Sequence, residues 1–350
     1  RQSLRTITDM KTTMQTLRTA LALLVLTLAV TGARAQKLKF NKNGEFKIVQ
    51  FTDLHYQSQN PRSRVALRCI DSVVQAERPD LVVFDGDNIY SRPADSAMYH
   101  IIRCIERHRV PYVLLFGNHD EEQGLTRAQL YDIARTGRHN LQPDRQGSPS
   151  PDYVLTIAGS RSSAPSALLY CMDSHSYTPI KRVGTYAWMT FDQVQWYRSQ
   201  SAAYTTANAG KPVPALAFFH IPLPEFATAA SAEGNVLIGN RMEKSCPPIL
   251  NSGLFTAMKE GGDVMGIFCG HDHDNDYTTL YYDILLGYGR FSGGNTEYNH
   301  LPNGARVIVL HEGQRRFDTW IRTRRGGVEL RTTYPDSYQK DDWRKRPVEE

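Results

Sequence analysis

The sequence predicts an α/β fold built around a parallel sheet. Short, strongly apolar runs rich in Val, Ile and Phe alternate with amphipathic stretches of helical period, and the early elements follow the order strand, helix, strand, helix, strand. A chain of 350 residues is long enough to bury a sizeable core.

Residues 46–51 (FKIVQF) read as the first strand. Val65, Leu67, Ile70, Val73 and Val74 recur at helical spacing, and Pro79 stops that helix. Residues 81–84 (LVVF) form the second strand. Met98, Ile101, Ile102 and Ile105 mark the second helix, and residues 111–116 the third strand. Such units give a parallel sheet covered by helices. A helix is expected at 125–134, followed by a polar, proline-containing loop at 137–151. Strands follow at 153–157, 167–172, 215–219 and 264–269. Thr190 and Gln193 make a capping box that opens a helix through Trp196 and Tyr197. Ser252 is expected to cap a short helix closed by Gly261 and Gly262. From 277 onward the pattern turns to consecutive strands at 277–286, 307–310, 317–323 and 328–333. With no repeat and no second core, residues 36–335 read as one domain and 336–350 as a charged, frayed tail.

Residues 1–35 are of a different kind. Lys11 and Arg18 precede an apolar run at 20–30, and Ala33-Arg34-Ala35 supplies small residues at alternate positions, the layout of a cleavable secretory signal. The run is short for a membrane span. The expectation is an exported protein, periplasmic or secreted, with no membrane span after cleavage. The full chain has a formal net charge of +5, but residues 36–350 carry 36 basic against 35 acidic side chains. That balance lacks the surplus of a nucleic-acid binder, and no nucleic-acid partner is expected. Cys69, Cys104, Cys171, Cys246 and Cys269 are scattered without a CxxC pair. Cys69, Cys104 and Cys269 fall in apolar patterns, as small buried residues do; export permits one disulfide, its pairing left open.

Each strong run ends in a polar cluster. Asp53 and His55 follow the first strand, Asp87 the second, and Asn118, His119 and Asp120 the third; His220 follows 215–219, and His271 and His273 follow 264–269. In open α/β sheets ligands bind outside the carboxyl ends of the strands, so five such ends converge on one crevice. Imidazole with carboxylate suits Zn, Fe and Mn, and the lack of thiols in the clusters speaks against a structural zinc knot. Asp53, His55, Asp87, Asn118, His220, His271 and His273 are too many donors for one ion and enough for two that share a carboxylate. Singly each cluster is weak, since Gly-Asp-Asn is more often a turn. Together, in this order, they point to a two-ion site. His100, His108, His139, His175, His300 and His311 lack such a setting and read as surface or packing residues.

These blocks resemble those of the calcineurin-like metallophosphoesterase superfamily: Asp-x-His at 53–55, Gly-Asp at 86–87, Gly-Asn-His-Asp at 117–120, His220, and Gly-His-x-His at 270–273. HIPLPE at 220–225, NSGLF at 251–255 and GYGRFSGGN at 287–295 look like its purple-acid-phosphatase-related branch. The resemblance spans about residues 46 to 323 and implies a four-layer α/β/β/α sandwich, two mixed sheets face to face with helices outside. It implies one metal held by Asp53, His55, Asp87 and His273 and a second by Asp87, Asn118, His220 and His271, with Asp87 bridging. His119 falls on the catalytic histidine that binds no metal, and Asp120 on the acid that orients it. Typical purple acid phosphatases have glycine at the position of His55 and an iron-ligating tyrosine three residues after the bridging aspartate, where Tyr90 stands. Here His55 is taken as the ligand and Tyr90 as a residue packed beside it. Arg290 is a candidate phosphate clamp, because guanidinium binds phosphate bidentately; the alternative is a surface arginine near a turn. The activity implied is hydrolysis of a small phosphorylated substrate by a metal-bridged hydroxide, with two first-row ions (Fe, Mn or Zn) as cofactors. Phosphomonoesterase is favoured over phosphodiesterase, and the competing class is a non-catalytic protein that binds metal or a phosphorylated ligand.

Overall fold

Strands β1 (Glu45–Phe51), β2 (Leu81–Asp85) and β3 (Tyr112–Leu115) lie side by side and parallel, joined by helices α1 (Arg64–Glu77) and α2 (Ala94–Glu106). The computed structural model describes residues 37–294 and 296–339, so the expected export signal and most of the charged tail fall outside the described residues. The apolar run of β2 needs cover on both faces and has it. Val82 and Phe84 pack with α1, α2 and α3 (Arg127–Ala134), while Leu81 and Val83 face the other sheet. β11 (Gly304–His311), β12 (Phe317–Thr323) and β13 (Val328–Tyr334) extend this sheet as an antiparallel meander on the free edge of β1.

The second sheet is built from β4 (Tyr153–Ala158), β5 (Pro165–Cys171), β6 (Ala215–Phe218), β7 (Leu237–Ile238), β8 (Val264–Cys269), β9 (Thr278–Tyr281) and β10 (Ile284–Tyr288), in the order β4-β5-β6-β8-β10-β9-β7. Its centre is parallel and its edges antiparallel. Helices α4 (Phe191–Ala207), α5 (Pro224–Ser231) and α6 (Leu254–Gly261) cover its outer face, burying Tyr197, Phe226, Leu254 and Met258. Three apolar layers result, one between the sheets and one under each helical layer. This is the four-layer sandwich of two mixed sheets.

The capping box at Thr190 and Gln193 forms as expected, and an equivalent one at Thr126 and Gln129 opens α3. Other local expectations change. Residues 277–286 are not one strand but a hairpin: Tyr282 and Asp283 turn with φ of 44° and 62°, the two-residue geometry that matches strand twist. α6 is not capped by Ser252; its N-cap is Gly253, in the left-handed region, and Gly262 closes it as anticipated. The start of the expected frayed tail is anchored, because Tyr338 is buried and its hydroxyl contacts the hydroxyls of Thr278 and Thr332. All five cysteines are free, so no disulfide forms among the described residues. Among those residues no helix is long and apolar enough to cross a membrane.

Candidate dinuclear metal centre

The carboxyl ends of β1, β2, β6 and β8 bring six of the predicted donors together in two buried groups, Asp53 with His55 and His273, and Asp87 with His220 and His271. Within each group one donor atom per residue lies within 4.8 Å of the others. The groups adjoin. Asp87 Oδ2 stands 3.1 Å from His220 Nε2 and 3.8 Å from His55 Nε2, between the two. Asp53 Oδ1 is 3.7 Å from His273 Nε2 and 3.9 Å from both His55 Nε2 and His220 Nε2. Asn118, the seventh donor, follows β3 next to His119, whose N–H donates to Asp87 Oδ1 at 2.8 Å.

Protein contacts alone leave several of these residues with an unsatisfied atom. His220 donates Nδ1–H to the Asp85 carbonyl at 2.7 Å, so in its neutral form the ring turns a lone pair at Nε2 toward Asp87 Oδ2, and neither atom then has a hydrogen bond. His273 donates Nδ1–H to the Tyr298 carbonyl at 2.9 Å, leaving its Nε2 3.0 Å from His55 Nε2. Asn118 Oδ1 and His55 Nδ1 are also buried without a partner. Buried acceptors facing one another call for a cation, and a backbone carbonyl behind each ring is the usual way a metal-binding histidine is oriented. The six histidines outside the site differ in that none has a buried ring nitrogen left without a partner, and each pairs one nitrogen within the protein, His100 with Tyr56, His108 with Asp71, His139 with Glu106, His175 with Gln193, His300 with Asp274 and His311 with Asp318. The mixed nitrogen and oxygen donor set fits two borderline first-row ions.

The electrostatics agree. Burial, with help from neighbouring rings and against Asp87, holds His55 well below the usual imidazole range and takes His271 down to about 3. Both rings are therefore neutral, the form that binds metal. Burial opposes charge on His220 as well, but Asp87 and Asp53 outweigh it and raise that ring to about 10. Burial likewise works against the Asp87 carboxylate, yet His220, His55 and His119 hold it well below its ordinary value. Positive charge is favoured between ring and carboxylate, and a proton or a metal ion can supply it.

The glycines of the sequence blocks are explained by close approach. A Cβ at Gly117 would overlap Asp87 Oδ1, one at Gly86 would come within 2.5 Å of the His220 ring, and one at Gly270 would overlap Thr52 and stand 2.8 Å from Asp53 Oδ2. The donors themselves are strained: Asp53, His55, Asp87 and His271 have φ of 55°, 42°, 50° and 79°. Each left-handed residue with a side chain costs roughly 1–2 kcal/mol. Such residues persist where the surroundings over-determine them, and they cluster at functional sites.

His119 lies at the rim, its ring edge-to-face with His55 at 5.4 Å and with Tyr90 at 5.2 Å between centroids. The acid expected to orient it does something else. Asp120 is buried and accepts from the N–H groups of Asn88, Ile89 and Gly117 at 2.8, 3.1 and 2.8 Å and from Asn88 Nδ2 at 3.3 Å, clamping the Asp87 and Asn118 loops together. The carboxylate on His119 Nδ1 is that of Glu122, at 2.8 Å. Residues Asp120–Gln123 form a 3-10 turn, in which side chains three apart eclipse. Burial would lower the His119 pKa, but Asp87 and Glu122 outweigh it and raise it above the ordinary value.

Arg290 is neither a phosphate clamp nor a surface residue. It is fully buried, paired with Asp276 through Nε (2.8 Å) and Nη2, and bonded to the Pro302 carbonyl (2.7 Å) and Glu329 (3.0 Å). It ties the end of β10 to β13. Tyr90 packs edge-to-face on His55 at 5.7 Å. Sequence reasoning missed Glu122 and an aromatic rim: Tyr186 stands edge-on to His271 at 4.4 Å, Tyr298 stacks on His273 at 4.4 Å, and Tyr177 stacks on Tyr186 at 5.9 Å. These tyrosines come from irregular loops, where no periodicity marks them. The one available signal was the helical spacing of His119 and Glu122.

Two mixed sheets between helical layers, with paired histidine–carboxylate groups at the strand ends, define a dinuclear metallophosphoesterase scaffold. The profile of the calcineurin-like phosphoesterases matches residues 46–275, and the chain belongs to that family. It is 32% identical over 343 residues to probable inactive purple acid phosphatase 29 of Arabidopsis thaliana, covering 86% of this chain and 85% of that protein. It is 28% identical over 330 residues to the phosphatase DCR2 of Saccharomyces cerevisiae, covering 82% of this chain and 55% of that one. Among solved structures, a dimetal phosphatase from Danio rerio aligns with a TM-score of 0.57 at 15% identity, covering 84% of this chain and 99% of the other. The purple acid phosphatase PPD1 from yellow lupin seeds aligns with a TM-score of 0.52 at 13% identity, covering 87% and 55%. Both share the fold.

Proposed function

We propose that this protein is an exported phosphoesterase that hydrolyses small phosphorylated compounds, phosphomonoesters ahead of diesters, with two first-row ions bound at the strand ends. The observation that carries the reading is the pair of adjoining buried donor groups with unpartnered acceptors turned toward one another, and His119 at their rim. Asp53, His55, Asp87 and His273 would hold one ion, and Asp87, Asn118, His220 and His271 the other. When bound, such ions supply Lewis acidity toward phosphoryl oxygens and a water acidic enough to act as nucleophile near neutrality.

The remaining work falls to the chain. The Asp85 and Tyr298 carbonyls fix the tautomers of His220 and His273, so the donor atoms need no rearrangement. His119, held at Nδ1, has Nε2 left to give a proton to the departing alkoxide. Among the described residues no Lys or Arg hydrogen-bonds to any of the seven donors or to His119, so positive charge at the donors themselves would come from the ions. Two divalent ions against the two carboxylates of Asp53 and Asp87 would leave two positive charges, or one once the nucleophilic water has lost its proton, to meet a phosphate ester anion. Export rests on the basic, apolar and small-residue pattern of residues 1–35.

A non-catalytic role is the second reading, and it draws on the relative called probably inactive. Metal-loaded protein assayed on p-nitrophenyl phosphate and its bis ester tests the proposal. Turnover of the monoester well above the diester supports it, and no turnover across a broad phosphoester panel rejects it in favour of the binding role.

A further inference from the structure

We infer that Glu122 is a positioning residue of this site: its carboxylate bridges His119 and Tyr177, fixing which nitrogen of His119 carries the resting proton and, through Tyr177, which end of the Asn118 amide faces the metal donors. The inference rests on His119 acting as proton donor, as proposed above.

Glu122 Oε2 accepts from His119 Nδ1 at 2.8 Å, and Glu122 Oε1 accepts from the Tyr177 hydroxyl at 2.6 Å. Tyr177 has given its one hydrogen to Glu122, so toward Asn118 its oxygen can only accept, and it does so from Asn118 Nδ2 at 3.3 Å. The amide nitrogen is thereby fixed toward Tyr177, and Oδ1, buried and unpartnered, is left for a metal. Reversing the amide would set oxygen against oxygen. A carboxylate likewise only accepts, so His119 keeps its proton on Nδ1. To act as donor the ring takes a second proton from solvent at Nε2, passes that proton to the leaving oxygen as the P–O bond breaks, and returns to the Nδ1–H tautomer that Glu122 holds.

The surroundings keep this chain of bonds in place. Gly124, with φ of 95°, closes the turn that carries Glu122, and Arg92 Nη2 donates to the Glu122 carbonyl at 3.3 Å. Ser176 Oγ donates to the Asn118 carbonyl at 3.2 Å, and Tyr177 stacks on Tyr186, whose ring meets His271. Asp120 cannot replace Glu122, because four donors already occupy it.

The test uses zinc-loaded full chain, comparing wild type with Glu122→Ala, His119→Ala, the double variant and Tyr177→Phe. Long-range 1H–15N spectra should show His119 protonated at Nδ1 in wild type and a shift of population to the Nε2–H tautomer in Glu122→Ala. Turnover of an alkyl phosphate, whose leaving group needs a proton, should fall about 10- to 100-fold in Glu122→Ala, and that of p-nitrophenyl phosphate less than about threefold. In the His119→Ala background, removing Glu122 should cost nothing further. Tyr177→Phe should weaken binding of the second zinc about tenfold, because the amide loses its orientation. An unchanged tautomer in Glu122→Ala, or equal losses with and without His119, overturns the inference. If wild type hydrolyses no phosphoester the functional proposal fails separately, while the spectra and the zinc affinities still decide the positioning role.

Discussion

Replacing Asp120 by alanine separates two roles that the sequence pattern merges. The structure has this carboxylate accept three backbone N–H groups, those of Asn88, Ile89 and Gly117, and make no hydrogen bond to the His119 ring, which pairs with Glu122. Each buried donor left without an acceptor costs about 1–3 kcal/mol. Three of them amount to roughly 3–9 kcal/mol, less whatever water entering the vacated space restores. Set against the ~5–15 kcal/mol that separates folded from unfolded domains, the loss is large. Two of these donors directly follow Asp87 in the chain and the third precedes Asn118, so bound metal should be lost along with stability. Urea unfolding of metal-loaded protein, with elemental analysis of the folded fraction, measures both. The expected result is a midpoint shift worth at least about 3 kcal/mol and metal content well below wild type. Glu122→Ala, on an exposed side chain, should stay within about 1 kcal/mol of wild type and keep its metal at saturating zinc, with affinity weakened only for the second ion. An Asp120→Ala protein with unchanged midpoint and full metal content, but no turnover, would refute the clamp and return Asp120 to the catalytic histidine.

Three other outcomes are expected. Asp87→Ala, which removes the oxygen standing between both donor groups, should lose both ions by elemental analysis, whereas His55→Ala should lose one. Arg290→Met should lower the urea midpoint by about 3–5 kcal/mol, because it strands the buried Asp276 carboxylate, while leaving KM for a phosphoester within about twofold in the folded fraction; a steep KM rise without loss of stability would restore Arg290 to phosphate contact. Burial works to raise the Glu77 pKa, but bonds from Trp320, Arg322 and Lys47 overcome it and hold the group below its usual value of 4.5. Its stabilisation is therefore complete above about pH 4.5 and fades as pH falls through the depressed folded value, so the stability gap between wild type and Glu77→Gln should narrow on acidification, and a gap that stays constant would contradict the sign.

How far the sequence could be read depended on whether a feature was local. The runs at β2, β3 and β8 announce themselves because strands covered on both faces are almost continuously apolar. The donors then stand out as polar groups where such runs end, and His55, Asp87, His220 and His273 could be named from position alone. Arg290 could not be placed, because its partners Asp276, in the loop before β9, and Glu329, in β13, are brought to it only by the fold. The 278–288 hairpin was hidden because Tyr282 and Asp283 take left-handed conformations without the Asn-Gly or Asp-Gly pair that usually signals the turn. Glu122 lay within reach: three residues from His119, it faces that ring once the intervening residues form a helical turn. A resemblance directing attention to Asp120 obscured it. The rim tyrosines 177, 186 and 298 sit in loops whose paths no period encodes.

The central claim is that two adjoining donor groups bind two ions and that both are needed for phosphoester hydrolysis. Stepwise return of zinc or manganese to chelator-treated protein, with p-nitrophenyl phosphate turnover read at each step, tests it most directly. The account predicts activity that rises to a plateau at two equivalents per chain and is absent in Asp87→Ala. Saturation at a single equivalent, or turnover that persists in fully chelated protein, would contradict it.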